Sequence, residues 1–595
     1  MNCAHGWVAV GVSLVFFSFS AFRASAQDAH PPSTEDGQWT MPAKDYANTR
    51  YSGLKEITAE NAKSLRPVWT FSTGVLGGHE GQPLMVKNTL YVVTPYPNVL
   101  YAFDLTQEGY PLKWKYRPYV NPTAIGTACC DTVNRGAAYA DGNIIYNLLD
   151  GHTVAVNATT GKEVWKTQVA DLQIGETMTM APLVVKNKVL VGNAGAELGA
   201  RGWIKALESR TGKILWTGYS TGPDKDVLID PAFYRPHYAK EQGSDLGAKS
   251  WPTAAAWAVG GGTVWGWLSY DPALNLVYYG TGNPAPYNAS QRPGDNKWTN
   301  SMLARNPDDG KVRWAYQQTP HDNWDFDAIQ EHILIDLLFE GKTRQALVHF
   351  DKNGFVYTVD RTNGALLSAV PYVNVNWAKR VDLTTGLPEI NPDKTTGAGK
   401  VTKNICPNLE GGKNQQPAAY SPRTQLFYVP TSNMCMDFKP TEIGYIVGTP
   451  YIGAEIPYTA GPGPLGAYIA WDAVAGKKVW ALAEPYPVWG GALVTGGNVL
   501  FYGTLDGWFK VVDARKGTLL WKFKVGSGVV GNPITYTGPD GKQYVAVYAG
   551  IGGDWWLLSG DTRSDDPTDI RPPADFMPDI AKHTSRGGIV WIFAL

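Results

Sequence analysis

The chain has 595 residues, a formal net charge of −1, 18% charged residues and 12% aromatic residues, with 23 Trp and 65 Gly. So low a charged fraction excludes a disordered or coiled-coil chain, and without a Lys/Arg run a nucleic-acid-binding protein is not expected. Many Gly and Trp residues indicate many turns and bulky packing anchors, as β-propellers need.

The N-terminus has the pattern of a secretory signal peptide. Residues 7–22 are apolar apart from small Gly and Ser residues, and residues 24–26 have the A-x-A pattern after which signal peptidase cuts. The alternative is a membrane anchor, but this apolar stretch is shorter than the ~20 residues of a spanning helix. We predict a signal peptide over 1–26, export to the periplasm, and one mature domain over 27–595.

Four cysteines remain after the signal peptide: Cys129, Cys130, Cys406 and Cys435. An even number in an exported chain suggests two disulfides. Cys129 and Cys130 are adjacent, and a bond between them joins Cα atoms only about 3.8 Å apart, below the usual range. The alternative is two free thiols; a closed ring would form a flat, rigid platform against a cofactor.

A hairpin pattern recurs along the chain. A strand with alternating apolar residues leads to a bend containing Gly, and a second strand follows that often ends in Trp. Alternation gives each strand one buried face, and Asp or Thr with Gly supplies the tight turn. The copies are LYAFDL (100–105, with Trp114), HTVAVNATTGKEVW (152–165), WIKALESRTGKILW (203–216), SMLARNPDDGKVRW (301–314), FVYTVDRTNGALL (355–367, without the Trp), YIAWDAVAGKKVW (468–480) and WFKVVDARKGTLLW (508–521).

The spacing of the Trp anchors predicts propeller blades. Trp114, Trp165 and Trp216 follow one another at intervals of 51 residues, and Trp480 and Trp521 are 41 apart. A four-stranded blade takes about 40–50 residues. We therefore predict an all-β protein, an eight-bladed β-propeller with four-stranded blades; seven blades is the other count that the length allows.

The last segment, GGIVWIFAL (587–595), is predicted to be a closing strand. Pairing with N-terminal chain around Trp69 would seal the ring and remove exposed sheet edges. A propeller is equally a scaffold for protein contacts, so the fold alone sets no function.

Oxygen-donor residues lie in three Gly- and Asn-rich segments. Glu197 lies in GNAGAELGARG (192–202), Asn283 in YYGTGNPAPYN (278–288), and Asp325 and Asp327 in PHDNWDFDAIQE (320–331). Three carboxylates and an amide oxygen suit Ca²⁺ or a similar oxygen-seeking ion. The alternative is that each Asp or Asn only forms a turn.

A Trp-Gly-Trp run lies in GGGTVWGWLSYD (260–271). A Trp in a Gly-rich loop, here Trp265, can lie flat under a planar ligand. The alternative is a Trp that packs inside a blade.

Ten segments in the same order resemble the large subunit of methanol and ethanol dehydrogenases that use pyrroloquinoline quinone (PQQ). The resemblance extends from about Glu80 to the C-terminus. Its segments are GHEGQPL (78–84), ACCDTVNRG (128–136), GAELGARG (195–202), GGGTVWGW (260–267), YYGTGNPAPYN (278–288), RPGDNKW (292–298), TPHDNWDFD (319–327), NICPN (404–408), CMD (435–437) and WGG (489–491).

This resemblance implies an eight-bladed propeller with PQQ on its axis. The Cys129–Cys130 disulfide would cover one face of the quinone, and Trp265 would stack on the other. Lys352 stands where the methanol enzymes usually have Arg. The remaining implied cofactor-binding residues are Glu80, Arg135, Thr179, Ala194, Gly195, Ala196, Glu197, Thr263, Asn414, Trp489 and Trp555.

The resemblance also implies metal ligands and a second disulfide. Glu197, Asn283 and Asp325 would bind the metal, Asp325 would be the catalytic base, and Cys406 would pair with Cys435. Calcium enzymes of the family carry a small residue where Asp327 stands, whereas the lanthanide-dependent type carries Asp. We therefore expect a lanthanide ion, with Ca²⁺ as the alternative if Asp327 only solvates its loop.

The implied reaction is the oxidation of a short primary alcohol, methanol or ethanol, to an aldehyde by hydride transfer to metal-activated PQQ. The sequence contains no C-x-x-C-H haem motif, so a separate periplasmic cytochrome c is the implied electron acceptor. Family analogy suggests a homodimer. The alternatives are a PQQ dehydrogenase of other alcohols, polyols or sugars, and a non-enzymatic periplasmic scaffold.

Overall fold

The computed structural model describes residues 1, 35–553, 577 and 579–595. The predicted signal peptide, apart from Met1, and Trp555 lie outside these residues. In the described ranges, no helix combines the length and the apolar character that crossing a membrane requires.

Strands make up almost all of the regular structure, which confirms the all-β class. The α-helices have only four or five residues each and lie in the connections between strands: Ala124–Thr127, Asp224–Val227, Leu246–Lys249 and Ala254–Ala258. The 3₁₀ helices are Ala62–Ser64, Leu172–Ile174, Ala196–Leu198, Ala239–Glu241, Ala289–Gln291, Pro392–Lys394 and Ile580–Lys582.

Eight sheets share one plan, in which four antiparallel strands are joined in simple order. Sheets 1 to 4 are, in chain order, Leu84–Val86, Thr89–Val93, Leu100–Asp104 and Leu112–Tyr116; Ala137–Ala140, Asn143–Leu148, His152–Asn157 and Glu163–Gln168; Leu183–Val185, Lys188–Gly192, Trp203–Glu208 and Ile214–Tyr219; and Ser269–Asp271, Leu276–Gly280, Ser301–Arg305 and Val312–Gln317.

Sheets 5 to 8 repeat the plan. They are Ile333–Phe339, Lys342–Phe350, Phe355–Asp360 and Ala365–Pro371; Ala419–Ser421, Leu426–Ser432, Gly466–Asp472 and Lys477–Glu484; Leu493–Thr495, Val499–Gly503, Trp508–Asp513 and Leu519–Lys524, to which Tyr51–Ser52 adds in parallel; and Ile534–Thr537, Gln543–Ala549, Ile589–Ala594 and Arg66–Ser72. The predicted hairpins are strands three and four of sheets 1 to 7.

Two small sheets lie in the connections around sheet 6. One pairs Ala378–Asp382 with Leu387–Ile390. The other joins Thr402–Ile405, Met434–Pro440, Ala454–Glu455 and Tyr458–Ala460. These insertions and sheet 5, whose hairpin lacks the Trp, together account for the wide gap between the Trp anchors of sheets 4 and 6.

The turn glycine of one sheet packs on a Trp of the sheet before it. The indole N–H of Trp114 donates to the Ala158 carbonyl at 3.3 Å. Gly161 has a φ of +69°, and a Cβ there would lie 2.6 Å from the Trp114 ring, so only Gly fits. The same pairing joins Trp165 with Gly212, Trp216 with Gly310, Trp314 with Gly364, and Trp480 with Gly517.

The chain ends close the ring of sheets. Arg66–Ser72 pairs antiparallel with Ile589–Ala594, and Trp69 lies opposite Ile592, which confirms the predicted closing strand. One continuous core cluster contains residues of sheets 7, 8, 1 and 2. The strand near the N-terminus and the last strand are thus hydrogen-bonded to each other instead of leaving an open sheet edge between them.

Both predicted disulfides are present, Cys129–Cys130 and Cys406–Cys435. The second lies within the small sheet, where Ile405 is opposite Met436 and the two cysteine Cα atoms are 4.4 Å apart. It closes a loop with a sequence separation of 29 residues.

Replacing Cys406 and Cys435 together with Ser should lower the free energy of unfolding by ~3–4 kcal/mol, because the unfolded chain regains the entropy of an open loop. The measurement is the urea midpoint of the double variant against wild type, with peptide mapping of unreduced wild type as the control. A map that joins Cys130 to Cys406 would contradict the assignment.

Candidate cofactor and metal site

A slit opens at one end of sheets 2 to 5, and the space between its lining atoms amounts to about 580 Å³, counting the part open to solvent. It is lined by Ala128, Cys129, Cys130, Asp131, Val133, Arg135, Thr177, Thr179, Ala194, Gly195, Glu197, Trp265, Tyr287, Asp325, Asp327, Lys352 and Leu409. The structure thus brings together most of the residues that the sequence singled out.

The position of these residues in the sheets explains why they meet. Arg135, Trp265 and Asp327 precede the first strand of a sheet, whereas Glu197 and Lys352 follow the second strand of one. Neighbouring strands run antiparallel, so the start of the first and the end of the second lie at the same end of the sheet. Motifs far apart in sequence therefore converge on one surface.

The disulfide and an indole line the same slit. Cys129, Cys130 and Trp265 are all half-buried. The guanidinium carbon of Arg135 lies 4.9 Å from the centre of the Trp265 ring, within the range of a cation–π contact. A flat apolar surface with a cation against it suits a planar, anionic ligand.

Arg135 is held in place by two neighbours. Its Nη2 lies 2.8 Å from Oε2 of Glu80, and its Nη1 donates to the Thr179 hydroxyl at 2.7 Å. Its Nε is buried and has no hydrogen-bond partner among the described residues. A buried guanidinium N–H without a partner is a donor available to a ligand.

On another wall of the slit, one ammonium group bridges two aspartates. Nζ of Lys352 lies 3.2 Å from Oδ2 of Asp325 and 2.6 Å from Oδ2 of Asp327. The other oxygen of Asp327 accepts the backbone N–H of Asn283 at 2.7 Å. This contact places the predicted ligand Asn283 beside the aspartates.

Glu197 is the third carboxylate of the slit. The Tyr287 hydroxyl donates to its Oε1 at 3.4 Å. One Glu197 oxygen and the sulfurs of Cys129 and Cys130 lie within 4.8 Å of one another. The sulfurs are joined in a disulfide and are not ligands. In the described part of the chain, Glu197, Asp325 and Asp327 do not form so tight a group of three.

Burial raises the pKa of Asp325 well above its usual range. The nearby Lys352 opposes this rise, whereas repulsion from Asp327 and Glu197 adds to it. Asp325 has a φ of +67°, and its Oδ1 is buried without a hydrogen-bond partner among the described residues. Such a carboxylate is suited to bind a cation or to accept a proton.

Comparison with known proteins identifies the family. A family model described as "Glucose/ethanol/alcohol dehydrogenase, beta-propeller domain", of the PQQ proteins, matches residues 39–382 and 481–545. The lanthanide-dependent methanol dehydrogenase of Methylacidiphilum fumariolicum is 52% identical over 94% of this chain and 93% of its own. The chain belongs to the PQQ-dependent alcohol dehydrogenases. The resemblance is thereby confirmed, together with the β-propeller and the oxidoreductase class.

Further relatives agree with this family. Subunit 1 of a methanol dehydrogenase [cytochrome c] from Methylobacterium organophilum is 44% identical over 95% of this chain and 92% of its own. The solved structure of a europium-containing methanol dehydrogenase superposes with a TM-score of 0.91 at 51% identity, covering 94% of this chain and 99% of that one.

The slit fits the PQQ of the family. Its two lining surfaces suit a planar ring system, and Arg135 with the Glu80 and Thr179 contacts suits a ligand carboxylate. The oxygen donors and the buried Oδ1 of Asp325 fit a hard metal ion. Lys352 and the Asn283 N–H already contact Asp327, but a carboxylate has about four lone-pair sites, so these contacts leave room for an ion.

Several implied cofactor residues lie outside the slit lining, and their roles stay predictions. Ala196 begins a 3₁₀ helix, the Thr263 carbonyl accepts the Gly282 N–H at 2.8 Å, and the Asn414 amide donates to Glu410 at 2.8 Å. Trp489 is fully buried in a cluster with apolar neighbours. Trp555 lies outside the described residues.

Sequence reasoning missed six lining residues of the slit: Ala128, Asp131, Val133, Thr177, Tyr287 and Leu409. Ala128, Asp131, Val133 and Tyr287 lie inside segments that carry the family resemblance, so a signal was present for these four, whereas Thr177 lies outside every such segment. Leu409 directly follows one such segment and is a common residue in any core, so nothing in its pattern marked it.

Proposed function

We propose that this protein is a periplasmic, lanthanide-dependent PQQ dehydrogenase that oxidises short primary alcohols, methanol or ethanol, to aldehydes. The observation that carries the proposal is the pair Asp325 and Asp327 in one slit, both in contact with Lys352. Electrons would pass to a cytochrome c, and the enzyme would be a homodimer. The names of the two methanol dehydrogenase relatives support the substrate, the metal and the acceptor.

The eight sheets are proposed to be the blades of one eight-bladed propeller. Each has four antiparallel strands, and core clusters join neighbouring sheets in chain order. The cluster across sheets 7, 8, 1 and 2 completes the circle. A closed ring holds the loops of sheets 2 to 5 rigidly, and rigid loops keep catalytic groups in place.

Each wall of the slit has a proposed task. When bound, PQQ accepts two electrons and a proton equivalent, and the metal ion polarises its carbonyl group. Asp325 accepts the proton of the alcohol hydroxyl. Arg135 would hold a carboxylate of the cofactor, while Cys129–Cys130 and Trp265 would hold its ring between them and exclude water. Lys352 holds both aspartates in place.

The charge of the slit favours a trivalent ion over Ca²⁺. Glu197, Asp325 and Asp327 carry three negative charges, and Lys352 offsets one of them. A cofactor carboxylate adds another negative charge, so a trivalent ion neutralises the set whereas Ca²⁺ leaves one charge in excess. Like charges a few ångströms apart repel strongly in a partly buried site.

The slit favours a small alcohol over a sugar. Ala128, Val133 and Leu409 contribute apolar surface beside the polar groups. A sugar would leave several hydroxyl groups against these side chains without hydrogen-bond partners, which costs binding energy. A substrate panel of methanol, ethanol, glycerol and glucose tests this choice.

The proposal is tested by metal and cofactor reconstitution. Metal-free apoprotein is mixed with PQQ and either La³⁺ or Ca²⁺, and alcohol oxidation is followed with an artificial electron acceptor. We expect high turnover with La³⁺ and low turnover with Ca²⁺. Active protein that contains no PQQ by mass spectrometry would refute the proposal.

Replacing Trp265 with Ala should remove most of the bound PQQ, because one stacking surface is lost. The measurement is the molar ratio of PQQ to protein after reconstitution and gel filtration. Trp114→Ala is the control, since Trp114 packs on Gly161 between two sheets, away from the slit. Equal PQQ content in both variants would contradict the assigned role of Trp265.

A further inference from the structure

Asp131 connects three segments that are far apart in the chain. Its Oδ2 accepts the backbone N–H of Gly78 at 3.0 Å and the backbone N–H of Gly553 at 2.8 Å. Asp131 directly follows the Cys129–Cys130 disulfide and lines the slit. One carboxylate oxygen thus ties the disulfide segment to two other strand connections.

The three segments are in contact with no space between them. A Cβ on Gly78 would lie 2.5 Å from the Gly553 nitrogen, and one on Gly552 would lie 2.5 Å from Oδ2 of Asp131. A Cβ on Gly553 would lie 2.1 Å from Oε1 of Glu80. Glycines at these positions let the backbones approach Asp131 and Glu80 closely.

The second oxygen of Asp131 is also occupied. Its Oδ1 accepts the Thr132 backbone N–H at 2.6 Å and lies 3.3 Å from the Thr132 hydroxyl. Asp131 has a φ of +69°, a conformation that a residue other than Gly adopts at a cost. The four contacts fix both the carboxylate and the turn that follows the disulfide.

We propose that Asp131 is a positioning residue, which holds the Cys129–Cys130 disulfide over the slit and locks the Gly78 and Gly553 segments behind Glu80. Glu80 in turn pairs with Arg135, so the contacts of Asp131 support both the disulfide and the guanidinium that is proposed to hold a carboxylate of the cofactor. The role in retaining PQQ rests on the proposed function. The role in protecting the disulfide does not.

Oδ2 of Asp131 accepts both the Gly78 and the Gly553 N–H groups, so variants can test the position of this oxygen separately from the negative charge. Asp131→Asn keeps one oxygen that can accept both glycine N–H groups, but it removes the charge and replaces the oxygen that accepts the Thr132 N–H with an NH₂ group. Asp131→Glu keeps the charge but moves the oxygens by one methylene. Asp131→Ala removes both. Asp104→Ala is the control for loss of a turn aspartate, because Asp104 accepts from Thr106 at the outer part of sheet 1.

Two rates are measured on the full chain. One is release of PQQ from protein loaded with PQQ and La³⁺; the other is reduction of Cys129–Cys130 by dithiothreitol in the apoprotein, followed by alkylation and mass spectrometry. For Asp131→Ala and Asp131→Glu we expect both rates to rise about tenfold or more, because the oxygen that accepts the Gly78 and Gly553 N–H groups is lost or displaced. Asp104→Ala should stay within about threefold of wild type. Asp131→Asn should lie between wild type and Asp131→Ala, because it keeps the two glycine hydrogen bonds but loses their charge and the Thr132 bond.

Wild-type rates in Asp131→Ala would overturn the proposal. So would a result in which Asp131→Glu behaves like wild type while Asp131→Asn behaves like Asp131→Ala. Should Asp131→Ala fail to fold, the Asn and Glu variants still decide between geometry and charge. Should the wild type bind no PQQ, the proposed function fails, and the rate of disulfide reduction alone tests the positioning role of Asp131.

Discussion

Replacing Asp325 with Asn is expected to lower kcat for alcohol oxidation by about 10²–10⁴-fold, the usual contribution of a general base. Asn retains an amide oxygen for the metal ion and nearly the same volume, but it cannot accept the hydroxyl proton. In the structure Asp325 is buried, and its Oδ1 lacks a hydrogen-bond partner among the described residues. The measurement is steady-state turnover with PQQ and La³⁺, alongside the bound metal and PQQ content.

Asp322→Asn is the matched control for this prediction. Asp322 is another buried aspartate of the same loop, and its oxygens accept the backbone N–H groups of Trp324 and Phe326 at 2.9 and 3.0 Å. An Asn oxygen can replace one acceptor, so we expect a change in stability but less than about a tenfold change in kcat. Wild-type turnover in Asp325→Asn at full metal and PQQ content would rule out Asp325 as the base.

The sequence predicted the repeating part of the fold because the signal is local. Within one hairpin, alternation and the Gly turn lie a few residues apart, so strands such as His152–Asn157 and Glu163–Gln168 could be located directly. The packing of Gly161 on Trp114 could not be found in this way, because it joins two sheets. Trp and Gly were each recognised, but not their pairing across the sheets.

The site was predicted only through the family resemblance. Residue types alone left each Asp and Asn as a possible turn former, and only the shared end of sheets 2 to 5 brings Glu197 and Lys352 to one slit. Contacts between distant segments left no local pattern at all. The hydrogen bond from the Gly553 N–H to Asp131 spans 422 positions, and nothing in the sequence around either residue indicates that the two are in contact.

Replacing Asp327 with Ala is expected to abolish lanthanide-dependent turnover, with a loss of at least about 100-fold, because the metal loses one negative oxygen ligand. The fold and the PQQ site should remain, since Asp327 contacts neither the disulfide nor Trp265 in any hydrogen bond of the described residues. The measurements are La³⁺ affinity, PQQ content and turnover at saturating La³⁺. Wild-type protein at full activity in Ca²⁺, with lanthanides rigorously excluded, would contradict the lanthanide assignment and leave the family assignment intact.

Asp327→Asn separates the charge of Asp327 from its structural contact. Oδ1 of Asp327 accepts the Asn283 N–H at 2.7 Å, and a Cβ on Gly282 would lie 2.7 Å from the same oxygen, so Asp327 also orients this backbone. The Asn oxygen can keep this contact, whereas the negative charge and the oxygen that accepts the Lys352 ammonium are lost. If the charge serves the metal, Asp327→Asn should lose La³⁺-dependent turnover nearly as completely as Asp327→Ala. If Asp327 only shapes its loop, Asp327→Asn should keep wild-type turnover and La³⁺ affinity, and the preference for a trivalent ion would then need another source.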